Sequence, residues 1–355
     1  NTKNVPYYVF GRGSLAQLGD LLKPRREAVD GPVVYFVDHF FRDHELIGRL
    51  PMEKGDQLHF VDSSSEPEVT RIDAFKEAVS AADSRTPCCV VGIGGGNALD
   101  TAKAVANLLT NPGKAEDYQG WELVKNPAVY KIGIPTLSGT GSECSRTCVL
   151  TNIPKNLKLG MNSDYTVYDQ LLLDPDLLAT VPRDQYFYTG IDTFMHCVES
   201  LQGSYRNAII DAFSVRAVQL CEEIFLSDDM MSEENREKMM IASYIGGMAA
   251  GNVGVIHPFS AGLGVVLHVA HGLGNCLALN VLGDIYPKEY KQFRTMIERQ
   301  GVNLPTGICK DLTEEQYEGL YRGCIVHEKP LTNALGPDFK QILTRENLIE
   351  RYKSI

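Results

Sequence analysis

The sequence predicts an α/β domain over residues 1–178, with a Rossmann-like parallel sheet, joined to an all-helical domain over residues 179–355. Three observations carry this. Strand-forming runs alternate with helix-period runs in the first half, strand signals stop past Pro182, and an apolar run leads straight into a Gly-rich turn. Such alternation argues for a parallel sheet flanked by helices, followed here by a separate helical body.

The elements follow in order. Strands are expected at 33–37 (Val-Val-Tyr-Phe-Val), 57–61, 88–93, 131–134 and 171–173, each a short run of β-branched, aromatic or aliphatic residues. Helical patterns fall between them at 68–82 and 97–109. Past Pro182 the helix-period segments are 185–200, 208–226, 233–251, 255–269 and 314–326. An α/β domain joined to a helical one leaves a cleft, where small-molecule sites tend to form. No repeat or low-complexity tract is present.

The turn Gly92-Ile93-Gly94-Gly95-Gly96-Asn97 lies between a strand and a helix. Glycine permits positive φ and close backbone approach, and the N-terminus of the following helix suits an anion, so phosphate or pyrophosphate is its natural guest. A tight turn without a ligand has the same pattern. The spacing is not G-x-G-x-x-G, and no acidic residue follows a strand about 20 residues on.

A second constellation lies in the helical half. Asp192 and His196 are four apart in a helical segment, so they project from one face. His257 and His271 stand in a Gly/Ala-rich stretch whose small residues allow helices to pack closely. A carboxylate with imidazoles suits Fe(II) or Zn(II), not calcium. Each of these residues taken alone reads more readily as a core or surface side chain than as a ligand.

Composition bounds the function. The 355 residues, 44% hydrophobic and 22% charged, suffice for two domains with sizeable cores. A net charge of −11 argues against a general nucleic-acid or anionic-membrane surface. No apolar run reaches the length of about 18 residues that marks a membrane span. The N-terminus has no signal-peptide pattern, so a cytoplasmic protein is expected. Nine cysteines, lacking C-x2-C spacing, read as free thiols in a reducing compartment.

Four segments together resemble the metal-dependent group III, or iron-containing, alcohol dehydrogenases, within the dehydroquinate synthase-like superfamily. They are Tyr8-Val9-Phe10-Gly11-Arg12-Gly13-Ser14, the Gly-Gly-Gly-x-x-x-Asp-x-x-Lys of 94–103, the loop Pro135-Thr136-Leu137-Ser138-Gly139-Thr140-Gly141-Ser142-Glu143, and the Asp-His-His-His set. The resemblance spans nearly the whole chain. It implies a dehydroquinate synthase-like fold, a divalent metal (Fe2+ or Zn2+) on Asp192, His196, His257 and His271, and NAD as hydride acceptor. By the same resemblance Gly94, Gly95 and Gly96, with Asn97, would hold the cofactor diphosphate. Asp38 would face the adenosine ribose, where a carboxylate favours NAD over NADP; an Asp at a strand end is equally a helix cap. Thr136, Leu137, Ser138 and Thr140 would line the adenine and nicotinamide path, and Lys158 would reach a ribose. Asp100 and Lys103 share a helix face, and Asp100 would approach the substrate.

Two departures matter. Family members usually carry Ser where Asn97 stands, and a His ten residues before the last ligand, where this chain has Ala261. That His is thought to relay a proton, and His268 or Asp100 is the substitute available. The full ligand set resembles the alcohol dehydrogenase branch, since glycerol dehydrogenases typically lack the counterpart of His196 and dehydroquinate synthases have Glu in place of Asp192.

The expected reaction is oxidation of a primary alcohol to an aldehyde. The chain also resembles bacterial enzymes that oxidise the C8 hydroxyl of 3-deoxy-manno-octulosonate (Kdo), feeding an aminotransferase in lipopolysaccharide biosynthesis. In that reading Arg146 pairs with the substrate carboxylate; a salt bridge within the protein is the competing role. An oxidase passing electrons to O2, a small-alcohol, polyol or glycerol dehydrogenase, a lyase or cyclase, and a binding protein with a decayed site are the alternatives. The family usually forms dimers, so a homodimer is expected.

Overall fold

The computed structural model describes residues 3–155 and 157–355; Asn1 and Thr2 of the N-terminal segment and Asn156 beside Lys158 lie outside them. One compact unit runs to Leu137 and resumes over Ser142–Thr180, and the second comprises Ser138–Gly141 and Val181–Ile355.

Among the described residues, the first unit holds a parallel sheet in the order β1-β9-β6-β4-β2-β3. Its strands are β1 (Tyr7–Phe10), β2 (Val33–Asp38), β3 (Gln57–Val61), β4 (Cys89–Gly94), β6 (Lys131–Pro135) and β9 (Gln170–Leu173). Helices α1 (Leu18–Ala28), α2 (Val69–Ala82) and α3 (Gly96–Leu108) cover it. Both faces are buried, which is why β2 and β4 read as continuous apolar runs. Successive residues point to opposite faces: Val34 and Phe36 join the core under α2 and α3, while Val33, Tyr35 and Val37 join the one under α1.

Strand β1 was not expected. It pairs in parallel with β9 at the sheet edge, a long-range contact that its own four residues do not announce. A small second sheet, β5 (Gly120–Trp121), β8 (Leu157–Asn162) and β7 (Thr147–Asn152), was likewise unforeseen.

Helix α3 is buried along nearly its whole length because small residues let it lie close to the sheet. At Gly92 a Cβ would fall 2.8 Å from the Ala102 Cβ and 2.5 Å from the Tyr168 hydroxyl. Such sealing leaves Asp100 and Lys103 inside, and each is satisfied by the segment leading into β7. Asp100 accepts hydrogen bonds from the Ser142 hydroxyl and, at 2.8 Å, from the Val149 amide. Lys103 Nζ lies 3.1 Å from Asp100 and donates to the carbonyls of Ser142 (2.8 Å) and Thr147.

The second unit contains no strand among the described residues. Its helices are α4 (Arg183–Gln202), α5 (Ala208–Phe225), α6 (Glu233–Gly246), α7 (Ile256–Leu267), α8 (His271–Val281), α9 (Pro287–Gln300) and α10 (Glu314–Ile325), with shorter helices at Glu328–Leu335, Phe339–Ile342 and Arg345–Lys353. Side-chain caps start several: Asn207 accepts from the Ile210 amide before α5, and Thr313 with Gln316 forms a capping box before α10. The single helix expected over 255–269 stops at Leu267, because His268 takes a left-handed conformation at φ 56° that ends it. Helices α8 and α9 had not been predicted. No single helix among the described residues is long and apolar enough to cross a membrane. All nine cysteines are buried, and none is in a disulfide.

Replacing Asp100 with Ala leaves the buried Lys103 ammonium without its carboxylate, so chemical denaturation should show a loss of about 3–5 kcal/mol; a change indistinguishable from zero would remove this pair from the account of the fold.

Candidate metal centre and dinucleotide turn

Helix α4 places Asp192, His196 and Glu199 on one face, at spacings of four and three residues. His257 is the second residue of α7, and His271 is the first residue of α8. The left-handed turn at His268 reverses the chain between them, so two residues fourteen apart in sequence reach the same carboxylate.

Asp192 is fully buried, and its ion-pair partners are imidazoles. Oδ1 lies 3.1 Å from His257 Nε2 and 3.7 Å from His196 Nε2, and Oδ2 lies 3.5 Å from His271 Nε2. Ligand atoms of Asp192, His257 and His271 all fall within 4.8 Å of one another. His196 is not in that close trio; its ring stacks on His257, with centroids 4.5 Å apart and planes at 16°.

The electrostatics follow from burial opposed by charge. Burial works against the Asp192 anion, but the three imidazoles outweigh it and hold this carboxyl well below the usual range. Burial dominates at His196 and holds it neutral, down to about 3. At His257 burial also lowers the value, but Glu199 and Asp192 prevail and raise it to about 9.

A cation fits this cluster. A buried carboxylate needs compensating positive charge, and Asp192 Oδ2 and His196 Nδ1 are buried without a hydrogen-bond partner. Carboxylate and imidazole donors together suit Fe(II) or Zn(II).

Two residues of the site were not assigned a role from sequence. Glu199 hydrogen bonds His257 Nδ1, and Asn275 donates to Asp192 Oδ1 at 2.7 Å while its Nδ2 lies 3.3 Å from His271 Nε2. Both carry a legible signal, since each stands three or four residues after an expected ligand on the same helix face.

The Gly-rich turn is built as its sequence suggests. Gly94 has φ 151°, and a Cβ there would meet Asp38 Cβ at 2.9 Å and Ala98 Cβ at 2.6 Å. Gly95 precedes α3 and offers no side-chain cap to its first turn. Thr136 is buried and its amide donates to Gly94 O, while Leu137 packs against Gly95.

Other expected residues have other engagements. Asp38 Oδ1 accepts from the Phe40 amide at 3.0 Å and the Ser63 hydroxyl at 2.9 Å, the cap geometry weighed against its ribose role. The Asn97 amide donates to Ser65 O at 2.8 Å, tying the loop after β3 to α3. Lys158 Nζ sits 3.0 Å from Glu66. Ser138, buried, and Thr140, half-buried, belong to the short segment of the second unit, where Gly139 O accepts from Thr193, the neighbour of Asp192. At Gly139, with φ 140°, a Cβ would lie 1.7 Å from Thr189 O, so only glycine permits this approach.

Four residues expected in catalysis or substrate binding, Asp100, Lys103, His268 and Arg146, have the following partners and positions. The polar atoms of Asp100 and Lys103 hold the 142–149 segment, as described above. His268 is exposed and serves as the left-handed end of α7. Arg146, the cation expected for a substrate carboxylate, pairs with Asp164 at 2.6 Å and with Glu122, the internal salt bridge weighed against that role.

Comparison with known proteins gives the class. Residues 6–175 match the model of the iron-containing alcohol dehydrogenases, and residues 186–319 match that of the C-terminal part of the same family. The chain belongs to the iron-containing alcohol dehydrogenase family. It is 34% identical over 220 residues to the sulfoacetaldehyde reductase of Bilophila wadsworthia, covering 60% of this chain and 56% of that protein, little more than half its length. With the NAD-dependent methanol dehydrogenase of Bacillus methanolicus it shares 29% identity over 278 residues, 76% of this chain and 71% of that one. The fold matches the crystal structure of sulfoacetaldehyde reductase from Bifidobacterium kashiwanohense in complex with NAD+, with a TM-score of 0.80, 24% identity, and coverage of 99% of this chain and 97% of that one.

An ion on His257 Nε2 must displace the proton held there, so metal affinity should rise with pH up to about 9, with proton release on binding. Calorimetry in buffers of different ionisation enthalpy checks this, and a pH-independent affinity would contradict it. In the metal-free protein the sign is opposite: the stabilisation from the raised His257 value is complete below 6.5 and is lost as pH climbs through about 9.

Proposed function

We propose that the protein is a divalent-metal-dependent alcohol dehydrogenase that interconverts a primary alcohol and its aldehyde with NAD as the hydride carrier. The observation that carries this reading is the fully buried Asp192 carboxylate with His257 and His271 converging on it. Family membership names iron as the ion, and the same donors accept Zn(II).

Asp192 would supply the negative charge that holds a cation inside the helical unit, and His257 and His271 would supply nitrogen donors. His196 is neutral and stacked on His257, where it is available as a further donor. When bound, the ion acts as a Lewis acid on the alcohol or carbonyl oxygen, and the nicotinamide takes or gives the hydride. Gly94, Gly95 and Gly96 let the backbone approach a diphosphate, with the first-turn amides of α3 directed at the anion. Asp38 at the end of β2 disfavours a 2′-phosphate, which supports NAD over NADP. Thr136, Leu137, Ser138, Thr140 and Lys158 are assigned to the cofactor on the family resemblance. Relatives described as an NAD-dependent methanol dehydrogenase and a reductase of sulfoacetaldehyde support a small primary alcohol or aldehyde as substrate. A Kdo-like sugar acid finds no such support, because the guanidinium proposed to receive its carboxylate is held by Asp164 and Glu122.

Protein loaded with Fe(II) or Zn(II) and given NAD with a panel of primary alcohols and sugar acids should form NADH without hydrogen peroxide; peroxide in place of NADH would establish the oxidase instead. His271→Ala should lose bound metal and turnover together, and full turnover in a metal-free variant would remove the ion from the chemistry. Arg146→Ala should leave KM for any accepted sugar acid unchanged, and a large rise would restore Arg146 to substrate binding.

A further inference from the structure

Both ring nitrogens of His257 face carboxylates. Nε2 lies 3.1 Å from Asp192 Oδ1, and Nδ1 hydrogen bonds Glu199 Oε2. Glu199 is buried, two turns along α4 from Asp192. Its other oxygen, Oε1, accepts from the Ile256 amide at 2.6 Å and from the Tyr286 hydroxyl at 3.4 Å, and that hydroxyl accepts from the Val255 amide at 3.0 Å. Gly254 leaves the room for this arrangement, since a Cβ there would fall 2.5 Å from the Tyr286 hydroxyl and 3.1 Å from Glu199 Oε1.

The consequences follow from donor and acceptor chemistry. A neutral imidazole has one N–H and one lone pair, and a carboxylate accepts only. Both nitrogens therefore face acceptors, and when an ion takes the place of the proton on Nε2, Glu199 keeps the remaining proton on Nδ1 and leaves the Nε2 lone pair as the donor. Helix α7 has no side-chain cap from its own N-cap residue, Val255, and the Ile256 amide at its start is satisfied by Glu199 instead. One side chain therefore orients the ring through Oε2 and anchors the helix that carries the ring through Oε1.

We propose that Glu199 is a positioning residue of the metal site, which sets the His257 tautomer so that Nε2 is the donor presented beside Asp192. The proposal rests on the metal-centre reading above. It assigns Glu199 no contact with ion or substrate; Glu199 acts through His257.

The two oxygens can be separated by substitution. In Glu199→Gln the amide oxygen can still accept from Ile256 and Tyr286, while the amide NH2 faces Nδ1 and donates to it, which forces the proton onto Nε2 and withdraws the lone pair. In Tyr286→Phe the tautomer is untouched and only a buried hydroxyl is lost. Zn(II) affinity, by competition with a chromophoric chelator, and the Tm of the metal-free forms are the two readouts.

Glu199→Gln should bind Zn(II) about 10- to 100-fold more weakly with little change in metal-free Tm, whereas Tyr286→Phe should lower Tm and keep wild-type affinity. Wild-type affinity in Glu199→Gln overturns the proposal, as does an equal loss of affinity in both variants, which would mark a purely structural role. Should Glu199→Gln fail to fold, nitrogen NMR of the zinc-loaded wild-type protein decides: His257 bound through Nε2 with its proton on Nδ1 supports the proposal, and binding through Nδ1 overturns it. A wild-type protein that takes up no Zn(II) or Fe(II) fails the metal-centre reading itself, a result distinct from either.

Discussion

The helical unit is organised around one buried carboxylate. Asp192 has no exposed surface, and its charge is met by imidazoles from three helices, α4, α7 and α8. An anion in that position has to be compensated from close range, because the surrounding medium screens it poorly. The requirement accounts for features otherwise unrelated: the left-handed residue that separates α7 from α8, the Glu199 carboxylate behind His257, and the Asn275 amide directed at Asp192 Oδ1.

The α/β unit is arranged by a different constraint, the closeness of α3 to the sheet. Ala98, Ala102 and Gly92 bring helix and strand together, and the turn from Gly94 to Gly96 ends the strand with no room for side chains at Gly94, where a Cβ would meet Ala98 and Asp38. Closeness also buries Asp100 and Lys103, whose mutual pairing and bonds to the 142–149 segment make a buried polar connection. A satisfied network of this kind fixes one arrangement of the segment, since any shift would strand a charge.

The family accommodates several small alcohols and aldehydes on one framework, as the names of the relatives indicate. Here the departures from the usual pattern are local. Asn97 holds the loop after β3 through the Ser65 carbonyl, giving structural work to a side chain that is usually a serine. Ala261 is buried within α7, and the nearby His268 is exposed at the helix end.

Much was legible in the sequence because it depends on local chemistry. Short strand-forming runs separated by helix-period segments specified the strands β2, β3, β4, β6 and β9, the Gly-rich turn announced the start of α3, and the i, i+4 spacing of Asp192 and His196 put both on one helix face. Strand β1 and the β7–β8 hairpin were not legible, since four or six residues acquire their strand character from the neighbours they pair with. The same holds for the polar partners. Whether Arg146 meets a substrate or Asp164, whether Asp38 caps a turn, and that Glu199 stands behind His257 are decided by groups brought together across the fold. Residue types and spacing therefore determined the class of fold and the chemistry of the donor set. Only the tertiary structure decided which charges neutralise one another, because that depends on distances a linear sequence does not contain.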